Sequence, residues 1–391
     1  MWLFLQEWKK IWRPGLLAIV LLLGAMYYYM FSSFYVEYFN DGPTAQASFD
    51  LAVEWVEKYG PTMEPSERAE LDGQLAQEIQ RFNEQLASWP GAAELGLTDY
   101  ETFQAKYIQS SSDLETQRLL DDIMNTSNYY RAKKLENFIA NYDWHAENPW
   151  DQRDDFDAMN PAQQARLLEL EKGGRGFLPR CVVQSTLEYA RKLAVWTVLG
   201  VVLLLSPTLV RDRLHRMRAA QWASRRGRRV LNVQFAAGAC SAFVLTAAGI
   251  ALYAIPFVAQ GPLVLAQCPL FDWTFSVYPW FDGTYGQYLA ALVLLLLGLG
   301  TATGMLTVFF SRYSGNYVAM LLKAVPLFVV LGPLIGSWLM TWPFWFRGLV
   351  NDVYSTVPRG AEAACVVFLL AVGAIFLLTA CHRQKKRELA A

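Results

Sequence analysis

Apolar positions along the chain gather into six long runs, separated by polar stretches of very unequal length. The first run covers 15–34, 20 residues without a charge. At about 1.5 Å per residue, a helix of that length matches the roughly 30 Å hydrocarbon core of a bilayer. Five more runs follow at approximately 193–210, 235–258, 289–310, 318–339 and 363–381, each long enough to cross. Several contain glycine or proline (Pro207, Gly238, Gly298, Gly300, Gly304, Pro326, Pro333). Membrane helices tolerate these because neighbouring helices satisfy freed backbone groups and small residues let helices approach closely.

Between the first and second runs the pattern changes. Residues 36–187 read as several helices separated by breakers at Gly60-Pro61, Trp89-Pro90-Gly91, Asn148-Pro149, Asn160-Pro161 and Gly173-Gly174. Thr98 with Glu101 and Ser112 with Glu115 have capping-box spacing, so helices are expected to begin there. Leu120, Ile123, Met124, Leu135, Phe138, Ile139 and Tyr142 recur near a 3.6-residue period and predict one apolar stripe. No alternating strand pattern stands out. A compact helical cap is expected, with some helices extending the flanking spans outward.

Charge decides orientation. The formal net charge of −1 over 391 residues conceals a strong asymmetry. Residues 36–187 carry 27 acidic and 13 basic side chains, a balance of −14 that excludes membrane burial. This acidity serves solubility or, as a second possibility, attracts a cationic ligand. Between the second and third runs lie Arg211, Arg213, Arg216, Arg218, Arg225, Arg226, Arg228 and Arg229, opposed only by Asp212. One arginine at mid-bilayer costs about 3 kcal/mol on insertion scales, so this loop belongs in cytoplasmic water. Lys9, Lys10, Arg13, Arg312, Arg383, Lys385, Lys386 and Arg387 then fall on the same side, which requires an even number of spans and both termini in the cytoplasm. Arg191, Lys192, Arg347 and Arg359 form a minority near outer ends.

Trp2, Leu5, Trp8 and Trp12 share a helical face, with Lys9 and Lys10 off it. This pattern fits a helix lying in the interface, or a plain continuation of the first span, and Pro14-Gly15 favours a bend. The Ala45-Gln46-Ala47 triplet resembles a leader cleavage site but lies well past the apolar run, so an uncleaved signal anchor is expected.

Catalytic constellations are not legible. The three histidines, His145, His215 and His382, are far apart, and HExxH, GxSxG and GxxxxGK[ST] do not occur. Asp151, Asp154, Asp155 and Asp157 lack the glycine and terminal glutamate of a calcium loop, which leaves a solvated loop. The five cysteines have no metal spacing, and Cys181 and Cys268 alone fall where they could pair. Ionisable residues within spans are few. Lys323 can snorkel from an inner end and Glu362 sits at an outer end, so a conduit would be lined by apolar, aromatic and hydroxyl groups suited to amphipathic or lipid-like cargo.

The order is a basic amphipathic N-terminus, one span, a large outer domain, then five spans with a single arginine-rich inner loop. It resembles an ABC-2-type permease of the exporter family, with the string SPTLVRDRLHRMRAAQWASRRGRRVL after the second span as the matching stretch. The resemblance implies that this stretch includes the coupling helix resting on a separate ATPase subunit, with Arg211, Asp212, Arg213, Arg216, Arg218, Trp222, Arg225, Arg226, Arg228 and Arg229 at that contact. Trp222 reads equally well as an interfacial tryptophan beside a basic loop. SRYSGNY at 311–317 is similar to the family's tight inner link. TWPFWFRGLVNDVYSTVP, in the segment 341–359, resembles its external re-entrant helices, though an aromatic belt also accounts for it.

The expected organisation is all-α and polytopic. It comprises a cytoplasmic interfacial helix (1–14), a first transmembrane helix (15–35), an extracytoplasmic acidic helical domain (36–187), a second transmembrane helix (188–210), a basic coupling loop (211–229), transmembrane helices three to six with external aromatic segments (230–382) and a basic tail (383–391). The resemblance implies a non-enzymatic transport subunit in a cell membrane of bacterial type. It would pair with a second permease, as homo- or heterodimer, contact lipid but no nucleic acid, and hold no cofactor itself, ATP being bound by the partner ATPase. A non-transporting sensor or scaffold with an external ligand-binding domain is the alternative. A membrane-embedded enzyme ranks third, for want of motifs.

Overall fold

The computed structural model describes residues 2–37, 42–109, 114–172, 175–215, 217, 230–271, 278–341, 343–347 and 357–389. Among them, six helices are long and apolar enough to cross a membrane: Pro14–Val36, Arg180–Leu214, Val230–Ala259, Tyr285–Arg312, Tyr317–Thr341 and Ala361–Gln384. They contain the six runs read from hydropathy and fit an all-α, multi-pass membrane protein. The helices overrun the apolar segments because backbone hydrogen bonding continues into polar residues. The second span is extended most, beginning at Arg180 behind the extended Pro179 and burying Val182, Val183 and Leu187 well before its apolar run.

Small residues set the packing of the bundle. A Cβ on Gly249 of the third span would lie 2.3 Å from the Trp196 ring of the second, and one on Gly24 of the first span would lie 2.7 Å from the same indole. Trp196 therefore fills a slot that two glycines leave open, with the Tyr253 ring 5.5 Å away and tilted by 32°. The fourth span approaches the third just as closely, since a Cβ on Gly300 would lie 2.0 Å from Thr246 Oγ1. In a lipid-like medium such backbone proximity supplies the van der Waals contact that holds helices together. Two spans are locally overwound or unwound. The first contains a π-turn at Tyr28–Ser32, and the fifth passes from Tyr317–Val329 through a π-turn at Val330–Gly336 into Ser337–Thr341. The second π-turn holds Pro333, whose missing N–H and bulky ring disfavour a regular turn.

The N-terminal helix α1 (Trp2–Ile11) is separate from the first span and packs on the third. It buries Glu7 and Ile11, packs Phe4 and Trp8 partly against the core, and leaves Trp2 and Leu5 exposed. The helix breaks at Trp12-Arg13, ahead of Pro14, and so is not a straight extension of the span.

The segment between the first two spans is helical, with α4 (Pro43–Tyr59), α5 (Arg68–Ala87), α6 (Tyr100–Gln109), α7 (Leu114–Thr126), α8 (Tyr129–Glu147) and α10 (Pro161–Glu171), besides a short α9 (Asp154–Asp157). The single stripe expected here divides. Leu120, Ile123 and Met124 join Phe82, Phe103 and Tyr129 in a distal core, whereas Leu135, Ile139 and Tyr142 join a core continuous with the spans. The break between α7 and α8 at Ser127-Asn128 resets the helical phase, so the two halves face different partners. Glu78 links these regions, accepting Arg131 Nε at 2.8 Å and Asn128 Nδ2 at 2.7 Å while the same arginine forks onto Glu54.

Local signals are corrected in three places. Helix α6 is capped by Asp99, whose Oδ1 accepts Thr102 N–H at 2.9 Å, rather than by Thr98 with Glu101; an aspartate one residue nearer the helix competes better for its free amides. Ser112 lies outside the described residues. Asn160-Pro161, read as a breaker, starts a helix: Asn160 caps α10 in a box with Gln163, and Pro161 occupies the first turn, where no N–H is needed. Finally, two short antiparallel ladders exist, Thr62–Met63 with Arg175–Gly176 and Tyr278–Pro279 with Trp345–Arg347. In the segment 341–359, expected as re-entrant helices or an aromatic belt, Trp345–Arg347 is an extended strand; residues 348–356 lie outside the described set, and the rest of that expectation with them.

Candidate coupling interface

Four parts of the sequence meet at the end of the bundle opposite the helical domain: α1, the close of the second span, the start of the third, and the turn between the fourth and fifth. After Leu205 the second span continues through Ser206 into α12 (Pro207–Leu214), so 211–214, expected in the coupling loop, are still helical. The fourth span fastens this junction. Ser311 Oγ donates to Ser206 O at 2.9 Å and accepts the amides of Leu209 and Val210 at 3.1 and 3.3 Å. The hydroxyl thus pairs with backbone groups where proline interrupts the helical ladder.

Beyond this staple lies a buried polar cluster. Asp212, Glu7 and Gln234 are 5%, 7% and 7% exposed. The Gln234 amide donates to Asp212 Oδ2 at 3.0 Å and to Glu7 Oε2 at 3.2 Å, while Lys10 Nζ holds the other Glu7 oxygen at 2.5 Å. One neutral side chain therefore bridges two carboxylates from different helices. Burying carboxylates is costly unless donors surround them, and amide and ammonium supply those donors here. Arg211 Nη2 donates to Lys10 O at 3.2 Å, and Arg213 Nη1 donates to Ser314 O at 2.9 Å. The two arginines thereby tie α12 to α1 on one side and to the 311–317 turn on the other. Lys323 also reaches this turn, donating to Tyr313 O at 3.0 Å, and Trp12 Nε1 donates to Ser241 Oγ at 3.0 Å. Arg312 Nη2 reaches Gln384 Oε1 at 3.3 Å, placing the C-terminal helix at the same end.

Of the residues expected at the coupling contact, the structure brings Arg211, Asp212 and Arg213 into this joint. Arg216, Arg218, Trp222, Arg225, Arg226, Arg228 and Arg229 lie outside the described residues. Sequence reasoning missed Glu7, Gln234 and Ser311. A signal existed for the first: Glu7 is the lone carboxylate ahead of the first span, as Asp212 is in the arginine stretch, and a solitary acid among cations is a candidate for pairing. The C-terminal helix runs Ala361–Leu389, so the basic tail expected at 383–391 is helical through 389.

At the domain end, Cys181 and Cys268 are both buried, and none of the five cysteines forms a disulfide. Burial pushes the Cys268 thiol up to about 11, which leaves it protonated and unreactive. Glu362, in the first turn of the sixth span, is 4% exposed.

Fold and joint together define a multi-pass helical membrane protein whose basic end is a rigid assembly of chain-distant segments. Comparison with protein-family models, with curated proteins and with solved structures returned no match.

Proposed function

We propose that this chain is the membrane-spanning permease subunit of an ATP-driven exporter, energised by a separate ATPase. The observation that carries the reading is the fixed position of α12. The arginine-rich stretch leaves the bundle from a helix stapled to the fourth span by Ser311 and to α1 through Arg211 and the Gln234 bridge. A force applied to that stretch reaches three helices at once, which is what a surface driven by a motor protein requires. In this reading the basic end is cytoplasmic, the acidic domain lies outside, a second permease completes the pore, and the cargo is amphipathic, lipid-like or a peptide.

Purification in mild detergent is expected to bring down an ATPase. Reversing the charge of Arg225, Arg226, Arg228 and Arg229 together is expected to leave folding intact and separate ATP hydrolysis from transport. Intact coupling in that variant, or labelling of a cysteine placed at Arg226 from outside the cell, would overturn the assignment.

A sensor or scaffold remains the second reading, favoured by one observation: the outer segment has a distal core of its own around Phe82, Phe103 and Tyr129. Ligand binding by the full chain with no associated ATPase would select it.

A further inference from the structure

A cavity of about 370 Å³ opens between the domain-side ends of the fourth and sixth spans. Phe281, Tyr288, Phe344 and the carboxyls of Asp282 and Glu362 line it, together with apolar Ala291, Leu294 and Leu295. The aromatic rings stand close together, with Tyr288 and Phe344 at 5.0 Å edge-to-face and Phe281 and Phe344 at 6.3 Å. Glu362 and Tyr288 are 4% and 3% exposed, and among the described residues neither Glu362 Oε2 nor the Tyr288 hydroxyl has a hydrogen-bond partner. No ion pair of Glu362 occurs among the described residues either. Two deeply buried polar groups left unmade at one cavity are rare in a native fold and costly without a partner.

The missing partner can be specified. A carboxylate calls for a cation, and three aromatic rings lining the same cavity favour one that is bulky and weakly hydrated, as an alkylated ammonium is. The protein already uses this affinity close by, where the Arg359 guanidinium lies 5.5 Å from the Phe281 ring centre. Below the rings the wall is apolar, and Leu294, 68% exposed, faces outward within a membrane-spanning helix. A head bound at Glu362 would therefore leave its tail along Ala291 and Leu294, toward lipid.

We propose that this cavity is a binding site for a membrane-borne amphiphile with an ammonium head, the cation seated between Glu362 and the Phe281, Tyr288 and Phe344 rings and the alkyl chain lying along the fourth span. The site belongs to this chain alone and stands under either functional reading above.

The test uses the full-length protein in neutral maltoside micelles, titrated with dodecyltrimethylammonium below its own micelle concentration and followed by thermal shift. Dodecanol serves as the uncharged control. Wild-type protein is expected to bind the ammonium saturably, and Glu362→Gln to weaken it at least about tenfold, the size of one charged contact. The dodecanol response should be the same in both. Ala291→Phe, which fills the apolar half and keeps the carboxylate, should weaken binding similarly and decides the matter should the glutamine variant fail to fold. Absence of saturation in wild type, equal affinity in either variant, or equal affinity for dodecanol and the ammonium would each overturn the site. No ATPase is present in the measurement, so its failure is separate from failure of the exporter reading.

Discussion

Ser311 donates its hydroxyl to the carbonyl of Ser206 at 2.9 Å, so the fourth span completes the backbone of the second at the residue preceding Pro207. The same oxygen accepts two amides of α12, and all of these groups are buried or nearly so. Ser311→Ala is expected to leave two amides and a carbonyl short of a partner and to destabilise the protein by about 1–3 kcal/mol. Thermal unfolding in detergent measures this, and an unchanged midpoint would refute the staple.

The Gln234 bridge makes a second prediction. Gln234→Leu removes the donor shared by Asp212 and Glu7, which should loosen α1 before it affects the spans. Hydrogen exchange is expected to speed up through Trp2–Ile11 and to stay unchanged through the fourth span. Uniform change, or none, would show that the bridge does not hold α1.

Trp196 and Gly249 are expected to be energetically coupled. Gly249→Val places atoms inside the indole ring volume and should cost about 1–3 kcal/mol by overpacking. Trp196→Leu should lower that penalty, because the smaller side chain frees the slot. A double-mutant cycle tests the coupling, and strict additivity would mean that the contact is not close in the folded protein.

Acid sensitivity should appear in the helices between the first two spans. Burial raises the Glu136 carboxyl, but hydrogen bonds from Lys133, Tyr100 and Gln104 outweigh it and hold the group below the ordinary glutamate range. Asp99 is also held low, by the Thr102 amide and hydroxyl. A carboxyl depressed on folding contributes stability above its unfolded value, about 4 for these groups, and that contribution is lost as pH falls through the folded value. Protection from hydrogen exchange in α6 and α8, taken relative to the intrinsic rate at each pH, should therefore fall below about pH 4, and Glu136→Gln should reduce the loss in α8. Protection that does not change with pH would contradict this.

Within the segment between the first two spans, Arg131 is expected to matter more than its partial exposure implies. It is the cation between Glu54 and Glu78, and Glu78 is buried. Arg131→Met leaves Glu78 with Asn128 and the mostly exposed Arg81, and should destabilise the protein by about 3 kcal/mol. Replacing Glu78 and Arg131 together by glutamine and methionine should cost less than the single change, which thermal unfolding can resolve.

What could be read along the chain and what could not divide by physical cause. The six spans, the helical segment between the first two and the separate α1 were legible because each depends on neighbours in sequence: transfer of an apolar run out of water is a sum over consecutive residues, and Pro14-Gly15 breaks a helix locally. Cap positions were less so, since Thr98 and Asp99 offer the same oxygen one residue apart and only the helix start chooses between them. The stripe from Leu120 to Tyr142 kept its period across a break, and period alone does not report a change of partner.

By itself, then, the sequence determined how many helices are long and apolar enough to cross a bilayer and where charge excludes them from it. Only the tertiary structure decided that Ser311 meets Ser206, that Gln234 stands between Glu7 and Asp212, and that Glu362 lines a cavity rather than facing water. Each of these depends on which helices are neighbours and how closely glycines let them approach. That is settled by the packing of different helices, where hydropathy carries no information because every candidate neighbour is equally apolar.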